Sequence, residues 1–114
     1  MTIIRHEPGK LYSAVVEANG FIFLSGITPK DLSQDLAGQT RQVLAEIDRL
    51  LQHVGADRTR IVSSMIWVSD IRNREPMNEV WVPWIGDDRP VRACVEARLA
   101  DPRMLVEIQV VAAR

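Results

Sequence analysis

Residues 90–112 read PVRACVEARLADPRMLVEIQVVA, two runs of period-two alternation around a short turn containing Asp101-Pro102. In the first run Val91, Ala93, Val95 and Ala97 share one face, and Arg92, Cys94, Glu96 and Arg98 the other. In the second, Val106, Ile108, Val110 and Ala112 oppose Leu105, Glu107, Gln109 and Val111. Such alternation reads as a β-hairpin with one face turned to the core. Antiparallel pairing then requires partner numbers that sum to an odd value, because a one-residue slip inverts a face. On that register Arg92, Cys94, Glu107 and Gln109 gather on one side. They form either an ion-pair ladder on a solvated face or the polar part of a site.

The rest of the composition narrows the choice. A chain of 114 residues suits one domain, residues 1–114, with a core of its own. A net charge of −1 gives no electrostatic reason to expect nucleic acid or an anionic membrane as partner. The single cysteine, Cys94, excludes an internal disulfide, and with only His6 and His53 besides, the chain is poor in metal ligands. No apolar run approaches a membrane span, and MTIIRHEPGK lacks a signal-peptide core, so the expected compartment is the cytoplasm.

Working backward, Thr2–His6 reads as a short edge strand, broken by Glu7-Pro8-Gly9. Tyr12–Ala18 and Phe21–Ser25 flank Asn19-Gly20, a two-residue hairpin signal because both turn positions favour positive φ. That loop pairs Ala18 with Phe21 and brings Tyr12 to the same open end as Ser25-Gly26. Gly26 there is either a bulge or a place where a ligand meets bare backbone. After a polar connection, Asp31 or Asp35 caps a helix with apolar positions Leu36, Val43, Leu44, Ile47, Leu50, Leu51 and Val54, stopped by Gly55. His53 sits in its last turn as a helix-end residue. Arg60–Ser69 reads as a strand, with Ile61, Met65 and Trp67 on one face and Val62, Ile66 and Val68 on the other. A second helix follows over Arg74–Val82, with Pro76 in its first turn and Pro83 ending or kinking it. Its apolar side is Met77, Val80, Trp81, Trp84 and Ile85; Asn78 lies on another part as a solvated amide.

The order (β)ββαβαββ is an α+β layout whose two helices cover only one face of a mixed sheet. Yet several strands carry apolar groups on both faces, so a second copy of the chain is the natural cover for the other.

These residues carry a resemblance. Tyr12-Ser13, Ser25-Gly26, Gln39-Thr40, Asn78 in MNEVW, Arg92 and Cys94 in PVRACVEARL, and Glu107 in VEI occur in the order and spacing of the RidA/YjgF (reactive intermediate imine deaminase) family. The resemblance spans nearly the whole chain. It implies a chorismate-mutase-like α+β fold assembled as a homotrimer with clefts between subunits. It further implies cofactor-free hydrolysis of 2-imino and enamine acids, such as 2-iminobutanoate and 2-aminoacrylate, to 2-keto acids and ammonia.

Carried over, Arg92 holds the substrate carboxylate and Glu107 positions the attacking water; these are the catalytic pair. Guanidinium geometry suits the first role, since its planar fork makes two parallel charge-assisted bonds to a carboxylate. For Glu107, burial raises the pKa and a nearby Arg92 lowers it, and the sequence leaves that balance open. The Gly26 backbone and Cys94 frame the imine, Ser25 is a further substrate-binding residue, Tyr12 closes the pocket and Asn78 supports it, with no metal and no nucleophilic role for Cys94. Departures from the family pattern at Ala14, Ile27 and Lys10-Leu11 all border the expected pocket. An alternative function uses the same arginine without turnover: a trimeric binder or sensor of small carboxylates.

Overall fold

The computed structural model describes residues 1–114. Its strands are β1 (Ile3–Pro8), β2 (Ser13–Ala18), β3 (Phe21–Leu24), β4 (Ile61–Val68), β5 (Val91–Glu96) and β6 (Val106–Ala113). Helices α1 (Leu36–His53) and α2 (Glu75–Ile85) precede β4 and β5. The six strands form one sheet in the order β1-β2-β3-β6-β4-β5, with β4 and β5 parallel and every other neighbour antiparallel. The expected α+β order is the observed one. No helix is long and apolar enough to cross a membrane.

The two-residue turn forms as read. Asn19 and Gly20 take φ of 51° and 81°, and Ala18 pairs with Phe21. Asp35, rather than Asp31, caps α1: its carboxylate accepts the Gly38 amide at 2.9 Å. Buried α1 residues Val43, Leu44, Ile47, Leu50 and Leu51 pack against the β6 face made by Val106, Ile108, Val110 and Ala112. Gly55 follows the helix with φ 78°. His53 meets only a ring edge, that of His6, with centroids 5.7 Å apart.

The last quarter departs from the hairpin expectation. β5 and β6 are not neighbours; β4 lies between them. Parallel strands need a crossover, and α2 supplies it by carrying the chain from β4 to β5 at the sheet's edge. β6 then returns to fill the gap between β3 and β4. Ser64 pairs with Arg92 and with Val110, so Arg92, Cys94 and Glu96 stand on the helix-covered face. Trp67 pairs with Glu107 and Met65 with Gln109, so those two polar groups stand on the open face with Val91, Ala93 and Val95. The predicted gathering of Arg92, Cys94, Glu107 and Gln109 on one side is therefore incorrect within a protomer.

Two smaller corrections share a cause in tertiary packing. A bulge between Ile61 and Ser63 shifts the β4 register by one residue, placing Ile61 with Ile66 and Val68 on the buried face instead of with Met65 and Trp67. Helix α2 runs through Pro83 to Ile85. Its last residues are held from outside the helix: Ile85 is buried, and the Trp84 indole N–H donates to the Asp48 carboxylate of α1 at 2.9 Å. Arg58 grips the same carboxylate with two bonds of 3.1 and 2.8 Å and donates to the Trp84 carbonyl at 2.9 Å.

The open sheet face is apolar, as the two-sided patterning suggests. Phe21 and Phe23 remain 43% and 42% exposed there, their rings 6.3 Å apart.

Candidate functional site

Between β3 and β6 the ladder slips. Phe23 pairs with Val111 but Ile27 with Ile108, so four steps on one strand face three on the other. The extra residue falls in the Leu24–Gly26 stretch, bounded by the Ser25 amide on the Ala14 carbonyl at 3.0 Å and the Ile27 amide on the Ile108 carbonyl at 2.8 Å. It leaves the Cα of Gly26 facing the Glu107 side chain. A Cβ built at Gly26 would overlap the Glu107 carboxylate, with Oε2 as the nearest atom. Bulge and bare backbone are thus the same feature.

A concavity of about 600 Å³ opens at this point on the uncovered face. Tyr12, Ser25, Gly26 and Glu107 line it, with Thr28 and Met104 among their neighbours. Glu107 makes no side-chain hydrogen bond there, and partial burial alone pushes its carboxyl above the ordinary glutamate value. The balance left open in the sequence is settled within the protomer: no arginine opposes the upward push. A second hollow of similar size shares Tyr12, Ser25, Gly26 and Thr28 but faces α1. Its charged groups serve the fold: Arg49 is committed to Glu7 and Glu46, and Gln42 pins the backbone at Lys30 and Asp31. The Glu107 side offers the reactive group.

Arg92, Cys94 and Asn78 form a separate cluster at the β5 edge. Arg92 is exposed; its guanidinium lies 5.5 Å from the Trp81 ring centroid and donates through Nη1 to the Asn78 carbonyl oxygen at 2.9 Å. No acidic side chain pairs with it. The parallel pairing with β4 sets Arg92 on the helix-covered face, against Trp81 and Asn78 of α2. Cys94 is half-buried. Burial pushes its thiol up against the smaller opposing influence of Arg92 and Arg74, which keeps it protonated near neutrality.

The predicted residues thus fall into two groups. Tyr12, Ser25, Gly26 and Glu107 come together, Asn78, Arg92 and Cys94 come together, and the groups occupy opposite faces of the sheet. Trp81 was legible only as core, yet it also supports Arg92. Its spacing three residues after Asn78 on one helix was the available signal. Gln39 also does more than its place in the motif suggested. Fully buried, it donates to the carbonyls of Gln34 and Arg103 at 3.1 and 2.9 Å and accepts the Leu105 amide at 2.8 Å. It therefore fixes the connection that delivers β6, and with it Glu107.

The chain is similar to known proteins over nearly its whole length. The family model described as Endoribonuclease L-PSP matches residues 3–114. A RutC family protein of Haemophilus ducreyi is 37% identical over 112 residues, covering 97% of this chain and 96% of its own. The crystal structure of a YjgF family member from Neisseria meningitidis superposes with a TM-score of 0.94 at 41% identity, covering 100% and 96% of the two chains. A 3-aminoacrylate deaminase RutC of Acinetobacter baylyi is 31% identical over 107 residues, covering 89% of this chain and 85% of its own.

Proposed function

This chain belongs to the RidA/YjgF family, and from that premise we propose that it hydrolyses reactive 2-imino and enamine acids to 2-keto acids and ammonia. Substrates of the 2-iminobutanoate or 2-aminoacrylate type fit best, and a relative named for 3-aminoacrylate supports an enamine-acid class. The observation that carries the reading is the state of Arg92. Its guanidinium is exposed and steadied by an aromatic face and a neutral amide, with its charge left uncompensated. That is a carboxylate receptor in waiting.

In this reading a second subunit completes the site. The Arg92 edge and the Glu107 concavity are different surfaces, so an interface that joins them is head-to-tail, and closed head-to-tail contacts make rings. A cyclic homotrimer brings Arg92 of the partner subunit to the Glu107 side of the next and covers Phe21 and Phe23. Arg92 grips the substrate carboxylate and fixes C2 near Glu107. Glu107 takes a proton from water as the oxygen adds to C2 and the C=N π electrons move to nitrogen. Glu107 returns its proton to that nitrogen, the new hydroxyl gives up its own proton to the nitrogen, and collapse of the tetrahedral adduct expels ammonia and leaves the keto group. An enamine first takes a proton at carbon to reach the same imine. Orientation and charge placement suffice, because the substrate is already electrophilic. Cys94 frames the site as a neutral thiol.

Net charge −1 and a carboxylate at the concavity support a small-molecule substrate over RNA cleavage. A trimer that binds small carboxylates without turnover would use the same arginine. The test is keto-acid and ammonia release from 2-iminobutanoate made in situ by an amino-acid oxidase. Acceleration over the spontaneous rate that disappears in Arg92→Ala supports the deaminase; saturable 2-ketobutyrate binding without acceleration selects the binder.

A further inference from the structure

We infer that Glu75 is a positioning residue for Arg92, acting through the Asn78 amide. This rests on the reading above that Arg92 holds the substrate carboxylate. Asn78 bridges two groups. Its Nδ2 donates to Glu75 Oε1 at 3.2 Å, and its Oδ1 accepts from Arg92 Nη1 at 2.9 Å. An ionised carboxylate can only accept and a guanidinium can only donate, so the amide between them has one satisfactory orientation. Without Glu75, the amide can turn its NH2 toward the guanidinium, donor against donor, and release Arg92 from one of its two supports. The other support, the Trp81 ring, fixes height over the helix but not rotation in the guanidinium plane.

The relay also explains why a neutral group touches Arg92. A carboxylate placed directly against the guanidinium would compete with the substrate's own carboxylate for the same donors. Set one amide away, the negative charge of Glu75 orients the fork without occupying it. Glu75 lies in the first turn of α2, where a carboxylate also favours the helix dipole. That role alters stability but predicts no coupling to ligand through Asn78.

The discriminating experiment is a double-mutant cycle on the whole protein. It reads the Kd of 2-ketobutyrate by calorimetry beside KM and kcat for 2-iminobutanoate. Glu75→Ala and Asn78→Ala should each raise Kd and KM about three- to tenfold with kcat nearly unchanged, the range for one lost hydrogen bond. The double variant should bind no worse than Asn78→Ala alone, because Glu75 makes no direct hydrogen bond or ion pair with Arg92. Glu75→Gln, whose amide oxygen can still accept, should restore binding. Asn78→Asp, which sets a carboxylate against the fork, should weaken binding more than Asn78→Ala. Additive single effects, an unchanged Kd in Glu75→Ala, or a Glu75→Gln as impaired as Glu75→Ala would overturn the inference. So would the absence of any Arg92-dependent 2-ketobutyrate binding. If binding follows the cycle but no imine is turned over, the inference stands and the deaminase reading fails.

Discussion

The Glu107 carboxylate packs against the bare Cα of Gly26, in space that any side chain at position 26 would claim. Gly26 has no positive φ, so alanine fits its backbone and only the neighbouring carboxylate must move. Gly26→Ala should therefore fold with a melting temperature close to wild type while kcat/KM for 2-iminobutanoate falls by about a hundredfold, as for a misplaced catalytic group. Equal losses of stability and activity would mean that the contact serves the fold alone.

The pH profile follows from the same carboxylate. Burial raises the Glu107 pKa above its ordinary 4.5. A protonated Glu107 cannot take a proton from water, so kcat/KM should fall as pH drops through this raised value, higher than for a solvated glutamate. Glu107→Gln should abolish the limb together with the activity. In the proposed trimer the partner subunit's Arg92 would offset part of that rise, so residual activity of Arg92→Lys, which weakens the pairing, should show its limb at higher pH than wild type. A limb at or below 4.5 in both proteins would contradict these assignments.

Two buried polar residues make opposite predictions for stability. Gln39→Leu strands the Leu105 amide and two carbonyls and should cost about 2–4 kcal/mol in denaturant unfolding. Ser64, 4% exposed on β4, has a hydroxyl oxygen without any partner. Ser64→Ala should be neutral or stabilise by about 1 kcal/mol, since an unsatisfied buried hydroxyl only costs desolvation. A strongly destabilised Ser64→Ala would show that the hydroxyl is bonded in the assembled protein.

Cys94 offers a chemical test. With its thiol pushed up by burial, alkylation by iodoacetamide near neutral pH should be slower than for a free cysteine. Cys94→Ala should retain at least about a tenth of wild-type kcat, because a framing contact contributes far less than a nucleophile. Inactivity with intact binding would assign the sulfur a covalent role.

Much of the fold was legible because local chemistry dictates it. Asn19-Gly20 accept the left-handed turn, Asp35 caps α1, and the apolar stripe ending at Val54 turns that helix to the sheet. Alternation along residues 91–96 and 106–113 likewise identified two strands and the faces of each. It could not say which strand lies beside which. Both runs suit a hairpin, and only the burial of β6 between β3 and β4 decides otherwise. That one long-range choice moved Arg92 to the helix side and left Glu107 on the open side. Pro83 shows the same limit: its local signal stops a helix, but Trp84 and Ile85 are held in register by contacts with distant residues.

In the proposed ring, Arg92 and Glu107 of different subunits build one active site. Arg92→Ala and Glu107→Gln trimers, each inactive, can be mixed in equal amounts and allowed to exchange subunits. Random exchange leaves about three-quarters of the rings mixed, and each mixed ring holds one intact site among three. Imine hydrolysis should therefore return to about a quarter of the wild-type rate. If exchange is verified by mass spectrometry and activity stays at the background of the parent variants, the two residues do not meet across a subunit boundary.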